Sequence, residues 1–484
     1  MPLVKHIDIS HDVLVQIGSV ADKLSVEAYV VGGYVRDKLL GKEVEDIDIV
    51  VIGDGIAFAG SVAEAMGKKQ VVVYEKFGTA MIPLNGGKIE FVTARQESYE
   101  QSSRKPRVKP ATLQSDLSRR DFAINTLAAS INNARWGELV DLFEGEKDLR
   151  EHIIRTPLDP EKTFDDDPLR MMRAIRFAAQ LFSTDNTGIP RHFHIEQRTR
   201  EAIGNMASRI AIVSKERVTD EFLKILAAPK PSVGLKLLND TGLVKFVFPE
   251  LADMVGVEQR RDYHHKDVFL HTLKVVDSIS LTTDNIWLRF VGLVHDIAKP
   301  RTKAFKEGVG WTFHGHEELG ARMMNPVFRR MRLPLDRLPY VEKLVRLHLR
   351  PMVLVDGEVT DSAVRRLLFE TGDAIDDLML LCRADITSQN PQRVARYLKN
   401  YDVVLQKMKD VEEKDRLRNW QPPVRGDEIM EVCKLEPGPI VGKLKTVIEE
   451  AILEGRIPNE HDAALEYLLQ VKDQVLQEKT QENV

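Results

Sequence analysis

The chain has 484 residues, 43% of them hydrophobic, and its 69 basic and 74 acidic side chains give a formal net charge of −5. This length exceeds what a single hydrophobic core supports, so we expect three or four domains. The mildly acidic total excludes indiscriminate coating of nucleic acid, but it allows a local basic face that contacts phosphates.

The N-terminal part of the chain predicts a small sheet. Short apolar or alternating runs typical of strands occur at 26–31, 45–52, 70–74, 80–83 and 88–93, around one helix at 35–40. Beyond Phe122 the pattern is nearly all helical, with a long helix at about 167–182. The sequence therefore predicts an α+β fold, with a small N-terminal mixed sheet and helices followed by all-α regions.

A glycine pair and two acidic residues stand at the start of this sheet. Gly32 and Gly33 separate the first strand from its helix, where the backbone can approach a phosphate, although a plain structural turn also fits. Asp46 and Asp48 are two residues apart on a predicted strand, so both carboxylates face the same side. Two such carboxylates suit Mg²⁺, and a solvated edge strand is the alternative.

Two basic segments follow. Arg119 and Arg120 precede an apolar stretch and could bind phosphate or face solvent. The segment 104–109 contains four basic residues and no acid, which fits either an RNA or triphosphate loop or an ordinary charged loop.

The helix at about 167–182 combines arginines with apolar residues. Arg170, Arg173 and Arg176 recur every three residues and share one broad face. Because an unpaired buried charge is costly, these arginines need partners. Asp167 and Arg170 offer an acceptor and a fork of donors that could read the edge of a base, and an internal ladder of salt bridges is the alternative.

Four segments in this order, at 32–37, 46–48, 119–122 and 166–177, resemble the motifs of class II CCA-adding enzymes and bacterial poly(A) polymerases. These enzymes have a polymerase-β-like nucleotidyltransferase head, and the resemblance covers roughly residues 25–250. It differs at two places: Ala123 stands where the family commonly has Thr, and Asp166 precedes Asp167 where the family usually has Glu.

The resemblance implies a role for each matching residue. Asp46 and Asp48 would be catalytic and hold Mg²⁺, and Glu90 is a further candidate carboxylate. Asp167 and Arg170 would act as a protein template for ATP and CTP, with tRNA as the acceptor. The remaining residues of the implied nucleotide-binding set are Gly32, Gly33, Arg36, Arg120, Arg173 and Arg176. The segment 213–217 reads as a capped helix start and resembles the family's neck region, with a role in structure and tRNA packing rather than chemistry.

A second set of potential ligands lies between residues 264 and 385. Five spaced His/Asp positions on otherwise apolar helices, one of them an adjacent His-Asp pair, are hard to explain as core histidines, and imidazole with carboxylate suits Zn²⁺, Mn²⁺, Ni²⁺, Co²⁺ or Fe. The residues are His271, His295, Asp296, His316, His348 and Asp385.

This second set resembles the HD superfamily of metal-dependent phosphohydrolases, of which the adjacent His295-Asp296 pair is the signature. His271 and Asp385 match the flanking ligands, and His316 and His348 match those of members that bind two metals. His264, His265 and His314 are read as peripheral. An HD domain that keeps the fold without activity is the alternative.

The motifs together predict four domains: a nucleotidyltransferase head at 1–145, a helical neck with the template helix at 146–255, an HD domain at 256–415 and a helical tail at 416–484. The leading hypothesis is addition of C, C and A to tRNA with release of pyrophosphate. A poly(A) polymerase or an enzyme that adds only A is the alternative, and a phosphohydrolase with an RNA-binding head, or a non-enzymatic tRNA-binding protein, is a more distant one.

The compartment follows from the cysteines and the N-terminus. Cys382 and Cys433 cannot form a disulfide framework or a cysteine zinc cluster, which favours a reducing cytoplasm. Residues 1–20 lack the apolar run of a signal peptide, and no apolar run approaches the ~18 residues of a membrane span. We therefore expect a cytoplasmic protein without a membrane partner; the sequence leaves the oligomeric state unknown.

Overall fold

The computed structural model describes residues 5–44, 46–75, 78–84, 86–100, 103–184, 190–258, 267–356, 360–388, 390–415 and 423–482. The chain divides into two compact units, Met1–Ala252 and Asp253–Val484. Within the described ranges, none of the helices combines the length and the apolar character that crossing a membrane requires.

The first unit contains thirteen strands within the described residues. They are β1 (Glu27–Val31), β2 (Ile47–Ile52), β3 (Val72–Tyr74), β4 (Thr79–Leu84), β5 (Gly87–Thr93), β6 (Arg95–Glu100), β7 (Ser103–Pro110), β8 (Ala128–Ser130), β9 (Leu139–Val140), β10 (Ile153–Ile154), β11 (Phe182–Thr184), β12 (Pro190–His192) and β13 (His194–Ile195).

The helices of this unit alternate with the early strands and then follow one another. They are α1 (Asp12–Lys23), α2 (Gly33–Leu39), α3 (Gly55–Ala65), α4 (Leu113–Ser118), α5 (Gly145–Glu151), α6 (Pro160–Asp166), α7 (Leu169–Gln180), α8 (Gln197–Met206), α9 (Lys215–Leu226), α10 (Pro231–Asp240), α11 (Val244–Val247) and α12 (Pro249–Asp253).

Among the described residues, seven strands form one mixed sheet in the order β3-β4-β5-β2-β1-β8-β9. β2 and β5 are parallel neighbours, with Asp48 opposite Glu90, and the other neighbours are antiparallel. A parallel pair needs a crossover, which runs here through α3 and the β3–β4 hairpin. The two central strands are rich in β-branched residues that pack well on a pleated surface.

The predicted α+β fold with its N-terminal mixed sheet is confirmed, and some local expectations are wrong. The chain beyond Phe122 is not purely helical, because β8 and β9 extend the sheet. The basic segment 104–109, for which a loop was expected, has the backbone of strand β7 and pairs with β6; its side chains lie outside the described part of the structure. Asp46 lies one residue before β2 rather than on it.

The second unit is almost entirely helical. Its helices are α13 (Val268–Ser280), α14 (Ile286–Val294), α15 (Lys299–Thr302), α16 (His316–Met331), α17 (Leu338–Leu347), α18 (Arg350–Asp356), α19 (Asp361–Thr371), α20 (Ile375–Asp385), α21 (Pro391–Asp415), α22 (Gly426–Cys433), α23 (Pro439–Leu453) and α24 (His461–Glu482). One hairpin, β14 (Ala304–Lys306) with β15 (Gly310–Thr312), joins α15 to the α16 region.

Side-chain caps fix the helix starts that matter for the second set of ligands. The Asp267 carboxylate accepts the Leu270 N–H at the start of α13. The Asn285 side chain accepts the Trp287 and Leu288 N–H groups at the start of α14. Such caps satisfy donors that the helix itself leaves open, so these two helices begin at defined residues. The four domain boundaries drawn from the sequence stay predictions.

Candidate active site and candidate metal centre

The turn between β1 and α2 requires glycine at position 32. Gly32 has φ +67°, a left-handed conformation that side chains disfavour. A Cβ atom there would lie 2.9 Å from Nη1 of Arg120. The backbone therefore comes close to a guanidinium, as the expectation of a phosphate-binding corner requires.

Two carboxylates meet on the neighbouring strands β2 and β5. Asp48 and Glu90 are register partners, so their side chains share one face of the sheet. Burial, together with the charges of Glu90 and Asp46, raises the pKa of Asp48 against the opposing effects of Arg120 and Lys88. A divalent cation would relieve this repulsion, so the pair fits a metal with oxygen ligands. Asp46 is exposed beside the pair, outside the cleft lining.

A buried carboxylate in α4 holds both arginines of the 119–120 pair. The Asp116 side chain is fully buried, and its oxygens accept Nη2 of Arg119 at 2.6 Å and Nη2 of Arg120 at 3.2 Å. Burial alone would raise the pKa of Asp116, but the two guanidiniums hold that pKa below its usual value. The sequence analysis missed this residue, although the spacing i, i+3 and i, i+4 on a helix could have indicated it.

The three arginines of α7 each have a partner. Nη2 of Arg170 donates to the Arg119 carbonyl oxygen at 2.7 Å. Arg173 pairs with Asp121 at 2.6 Å, and Arg176 pairs with Glu221 at 2.6 Å. The expectation that embedded arginines need partners is met. The arginines also border a cleft, so the pairing ladder and a binding role are compatible.

A hydrogen-bond network links α2 to α7 through Asn125. Oδ1 of the Asn125 side chain accepts a hydrogen bond from Nη1 of Arg36 at 2.8 Å, and Nδ2 of the same side chain donates one to Oδ1 of Asp121 at 2.9 Å. Asp121 also receives Nε of Arg173 at 2.8 Å. Despite burial, the Arg173 charge and these hydrogen bonds lower the pKa of Asp121 to about 2. Arg36 and Arg173 are therefore held in a fixed mutual arrangement.

The ring of Phe177 lies among three of the arginines described above. The guanidinium carbons of Arg176, Arg36 and Arg173 are 4.3, 5.2 and 5.4 Å from its ring centroid. The negative face of an aromatic ring attracts cations at such distances. The ring therefore moderates the repulsion among three like charges, a role that the sequence analysis did not assign to Phe177.

Asp167 ends the loop before α7. One of its oxygens accepts the Leu169 N–H at 3.1 Å, and the other pairs with Nη2 of Arg217 on α9 at 3.3 Å. Arg217 was expected to serve the structure of the neck and tRNA packing, not the chemistry. The structure instead places it in the lining of the same cleft as Arg170.

These side chains enclose a cleft of about 540 Å³, within the usual range for a small-molecule site. In the described residues its lining includes seven arginines against four acidic residues, a balance that favours a polyanion. The cationic and acidic lining residues are Arg36, Arg119, Arg120, Arg170, Arg173, Arg176, Arg217, Asp48, Glu90, Asp121 and Asp167. Gly32 and Gly33 also line it, so the structure brings together every predicted nucleotide-binding residue.

The second unit gathers the six predicted metal ligands from five segments. His271 lies on α13, His295 and Asp296 follow α14, and His316 begins α16. His348 follows α17 and Asp385 ends α20. Ligand atoms of His271, His295 and Asp296 form one group that could hold a metal, and those of Asp296, His316 and His348 form another.

Asp296 is common to both groups and divides its two oxygens between them. Oδ2 lies 3.3 Å from Nε2 of His295 and 3.6 Å from Nε2 of His271. Oδ1 lies 3.3 Å from Nε2 of His316 and 3.9 Å from Nε2 of His348. One carboxylate therefore lies between two adjacent clusters of imidazole nitrogens.

Backbone carbonyls fix the orientation of three imidazoles. Nδ1 of His295, His316 and His348 lies 2.8, 2.7 and 2.6 Å from the carbonyl oxygens of Gly292, Phe313 and Val345. A carbonyl oxygen can only accept, so each Nδ1 donates and Nε2 points inward. The buried Nε2 atoms of His316 and His348 have no hydrogen-bond partner among the described residues. Inward lone pairs beside a carboxylate suit a bound cation, so this donor set fits a metal.

The charges of the cluster differ from one histidine to the next. Although burial opposes it, Asp296 and Asp385 raise the pKa of His295 to about 10. Burial and the neighbouring histidines lower the pKa of His348 to about 4. Nε2 of His271 lies 2.8 Å from Asp385, and its Nδ1 lies 2.8 Å from the Thr387 hydroxyl.

Two residues near the cluster were missed in the sequence. Thr387 orients His271, and Nζ of Lys299 pairs with Asp296 at 2.7 Å. Among the histidines read as peripheral, His314 is exposed, whereas His264 and His265 lie outside the described residues.

Three protein families match successive parts of the chain. The poly A polymerase head domain matches residues 28–155, the family described as the probable RNA and SrmB-binding site of polymerase A matches 192–255, and the HD domain matches 261–389. The first match includes the sheet and the β1–α2 corner, and the third includes all six candidate metal ligands.

Similar proteins extend over most of the chain. A CC-adding tRNA nucleotidyltransferase of Thermus thermophilus is 30% identical over 90% of this chain and 92% of its own length. A multifunctional CCA protein of Methylococcus capsulatus is 32% identical over 74% of this chain and 81% of its own. The crystal structure of the Bacillus stearothermophilus CCA-adding enzyme in complex with CTP has the same fold, with a TM-score of 0.63 and 22% identity, covering 98% of this chain and 100% of that one.

Proposed function

Because this chain belongs to the tRNA nucleotidyltransferase family, we propose that it adds C, C and A in turn to the 3′ end of tRNA. The substrates are CTP, ATP and a tRNA that lacks its terminal nucleotides. In each step the 3′-hydroxyl oxygen of the RNA forms a bond to the α-phosphorus as the bond to the leaving pyrophosphate breaks. A cytoplasmic location goes with this substrate.

The observation that carries this proposal is the joining of two kinds of side chain in one cleft. Carboxylates on β2 and β5 and arginines on α7 line the same cleft. A triphosphate substrate requires both, since the arginines can bind its phosphates and the carboxylates can hold a metal at the phosphate that reacts. We assign Mg²⁺ to Asp46 and Asp48, with Glu90 beside them. When bound there, Mg²⁺ supplies activation of the attacking hydroxyl and neutralisation of the leaving pyrophosphate.

The remaining residues divide between the triphosphate and the base. Gly32, Gly33, Arg36 and Arg120 form the corner that binds the phosphates. Asp167 and Arg170 select C or A as a protein template. Arg173 and Arg176 support the bound nucleotide from fixed positions, because ion pairs with Asp121 and Glu221 hold their guanidinium groups.

An incorporation assay tests the proposal. Purified protein is incubated with Mg²⁺, labelled CTP or ATP, and tRNA lacking its last three nucleotides. We expect two C residues and one A residue to be added. Asp48→Asn should reduce both transfers by about 10³-fold or more, since a metal site stabilises the transition state by several kcal/mol. Glu64→Gln, an exposed change on α3, is the matched control; near-normal transfer by Asp48→Asn would refute the site.

The same assay separates the related activities. Incorporation of CTP alone would indicate a CC-adding enzyme, like the Thermus relative by name. Incorporation of ATP only onto tRNA ending in CC would indicate an A-adding enzyme. Long A tracts on unrelated RNA would indicate a poly(A) polymerase.

The two candidate metal groups that share Asp296 support a second activity, a metal-dependent phosphohydrolase acting on phosphorylated or 2′,3′-cyclic phosphate RNA ends. His271, His295, Asp296, His316, His348 and Asp385 would hold Ni²⁺, Mn²⁺, Co²⁺, Zn²⁺ or Fe, as imidazole-rich sites do. The metal ions would supply activation of water for attack on phosphorus.

A further inference from the structure

A short hairpin lies in the chain between two residues of the candidate metal centre. Asp296 is followed by α15, then β14 and β15, then Phe313 and His316. Both ends of this segment are tied to the centre. Lys299 pairs with Asp296, and the Phe313 carbonyl accepts Nδ1 of His316. The hairpin is therefore anchored next to the metal ligands on both sides.

The hairpin exposes its apolar side chains. Phe305 and Trp311 are opposite each other across the two strands, with ring centroids 5.2 Å apart. Phe305 is 50% exposed and Trp311 is 37% exposed, and Val309 at the turn is 66% exposed. Aromatic rings left in water on a two-stranded hairpin do little for the core, and they suit stacking against a planar ligand.

The segment around these rings is rich in cations. Nζ of Lys303 lies 4.2 Å from the centroid of the Trp311 ring, and Nζ of Lys299 lies 5.6 Å from that of Phe313. Arg301 and Lys306 add two more positive charges, and Glu307 is the one acid in residues 299–313. This local excess of three positive charges contrasts with the net charge of −5 for the whole chain.

We propose that the hairpin β14–β15 is a binding platform for single-stranded RNA, holding an RNA end next to the candidate metal centre. Bases stack on the Phe305 and Trp311 rings, and phosphates pair with Lys303 and Lys306. Aromatic rings alternating with lysines are the equipment by which proteins bind single strands without reading their sequence. The platform rests on the proposed phosphohydrolase only for the choice of RNA as the nucleic acid.

A protein partner would be the other reading of an exposed aromatic pair. The observations favour RNA, because the aliphatic contribution is small, Lys303 lies over the Trp311 ring and residues 299–313 carry a net positive charge. The core of a protein interface is instead depleted of charge. The expected ligand of this surface is therefore polyanionic with planar groups, and not an apolar, convex protein surface.

Binding to the full-length protein tests the platform without relying on hydrolysis. A 5′-labelled hexauridylate is titrated in EDTA, and fluorescence anisotropy gives its affinity. Trp311→Leu should bind about tenfold more weakly, the effect of one lost stacking contact. Trp311→Phe should restore most of the affinity. Lys303→Gln and Lys306→Gln should each lower the salt slope by about 0.7. Leu281→Ala and Lys274→Gln, exposed changes on or next to α13, are the matched controls.

Photo-crosslinking identifies the site of binding. A hexamer carrying 4-thiouridine should crosslink to peptides containing residues 304–312, and unlabelled RNA should compete. Crosslinks confined to residues 1–252, with unchanged affinity in Trp311→Leu, would overturn the platform, as would failure of RNA to bind. If the hairpin binds RNA and no metal supports hydrolysis, the phosphohydrolase proposal is refuted and the platform stands. If hydrolysis occurs but is unaffected by Trp311→Leu, and no crosslinks form to the hairpin, the platform is refuted and the phosphohydrolase proposal stands.

Discussion

A single buried carboxylate holds both arginines at the floor of the cleft. Asp116 has no exposed side-chain surface and receives guanidinium groups from Arg119 and Arg120. Arg120 in turn lies against Gly32, and its charge opposes the rise in the pKa of Asp48. The position of one aspartate in α4 therefore affects both the phosphate-binding corner and the acidic pair.

Asp116→Asn should destabilise the first unit. The amide keeps the size of the side chain but leaves two guanidiniums without their counter-charge, at a cost of about 3 kcal/mol for a broken buried pair. In urea unfolding followed by far-UV circular dichroism, the transition of the first unit should shift to a lower urea concentration. Asp165→Asn is the control, because its ion pair with Arg209 is half exposed and such pairs contribute about 0–1 kcal/mol. Equal midpoints for the two variants would contradict the buried-pair assignment.

Several of the residues that sequence reasoning missed have distant partners, whereas Asp116 was overlooked beside its neighbours Arg119 and Arg120. Glu221 and Arg217 lie 45 and 50 residues from the side chains that they pair with, Arg176 and Asp167. Spacing along the chain finds only neighbours on the same helix or strand, so it identified the arginines of α7 and the Asp46/Asp48 pair but not what holds them. Phe177 was hidden for a similar reason, since an apolar residue on an apolar helix has no distinguishing signal.

At the scale of elements, α7 carries the arginine face that borders the cleft. Its arginines are tied to α9 and to residues 119–121 after α4, so the helix face cannot turn without breaking several of these contacts. This rigidity is what a protein surface needs if it is to select one base over another.

Asp167→Ala or Arg170→Ala should relax the choice of base more than it weakens triphosphate binding. Losing one partner of a base-reading hydrogen bond costs about 1–3 kcal/mol, or roughly ten- to a hundredfold in discrimination. Incorporation of UTP and GTP relative to CTP and ATP measures the effect. Arg209→Ala, outside the cleft lining, is the control; an unchanged selectivity profile in both cleft variants would remove the template role.

The helices around the second centre set its response to pH. The pKa of His295 is raised to about 10, so at neutral pH this imidazole is protonated and its proton must leave when a metal binds. His348, with a pKa lowered to about 4, has no proton to lose at that pH. We expect release of about one proton per metal bound near Oδ2 of Asp296, and affinity that rises with pH up to about 10.

Calorimetric titration with Mn²⁺ in buffers of different ionisation enthalpy measures that release. His295→Gln should bind more weakly and release no proton. Binding of Mn²⁺ to the unaltered protein without buffer-dependent heat would show that His295 is neutral before the metal enters.

The strands show where sequence patterns stop being informative. The predicted strands at 26–31, 45–52 and 88–93 have β-branched residues and appear as β1, β2 and β5. β8 consists of Ala128, Ala129 and Ser130, and β9 of two residues. Such short segments become strands only because a neighbouring strand offers an edge, β1 for β8 and β8 for β9, so tertiary structure decides them.

For the molecule as a whole, the two sets of functional residues belong to different compact units. The two motif sets indicated from the sequence that the functional residues lie in different parts of the chain, whereas the four domain boundaries stay predictions. The sequence could not supply the exact boundary, since the helical pattern continues without a break in composition from α8 to α12.

The double change His295→Ala and Asp296→Ala should leave nucleotide addition largely intact and remove hydrolysis of 2′,3′-cyclic phosphates. The reason is that the Mg²⁺ proposed for the first unit needs oxygen ligands, whereas the second centre offers imidazoles. Both activities are measured side by side with Mg²⁺, Mn²⁺, Ni²⁺ or Co²⁺, and circular dichroism checks folding. Loss of CTP and ATP incorporation in a folded double variant would show that the units are coupled, and absence of hydrolysis in the unaltered protein would make the second unit a structural platform.

The shared carboxylate of Asp296 makes the second centre asymmetric as a target for redesign. Nε2 of His316 and Nε2 of His348 lie near Oδ1, so replacing both histidines should remove the candidate metal group on that side and leave the group of His271, His295 and Asp296 intact. Deleting Asp296 removes a ligand from both sides at once. Substitution of the histidines can therefore remove the two candidate metal groups one at a time, whereas substitution of Asp296 removes a ligand from both in a single step.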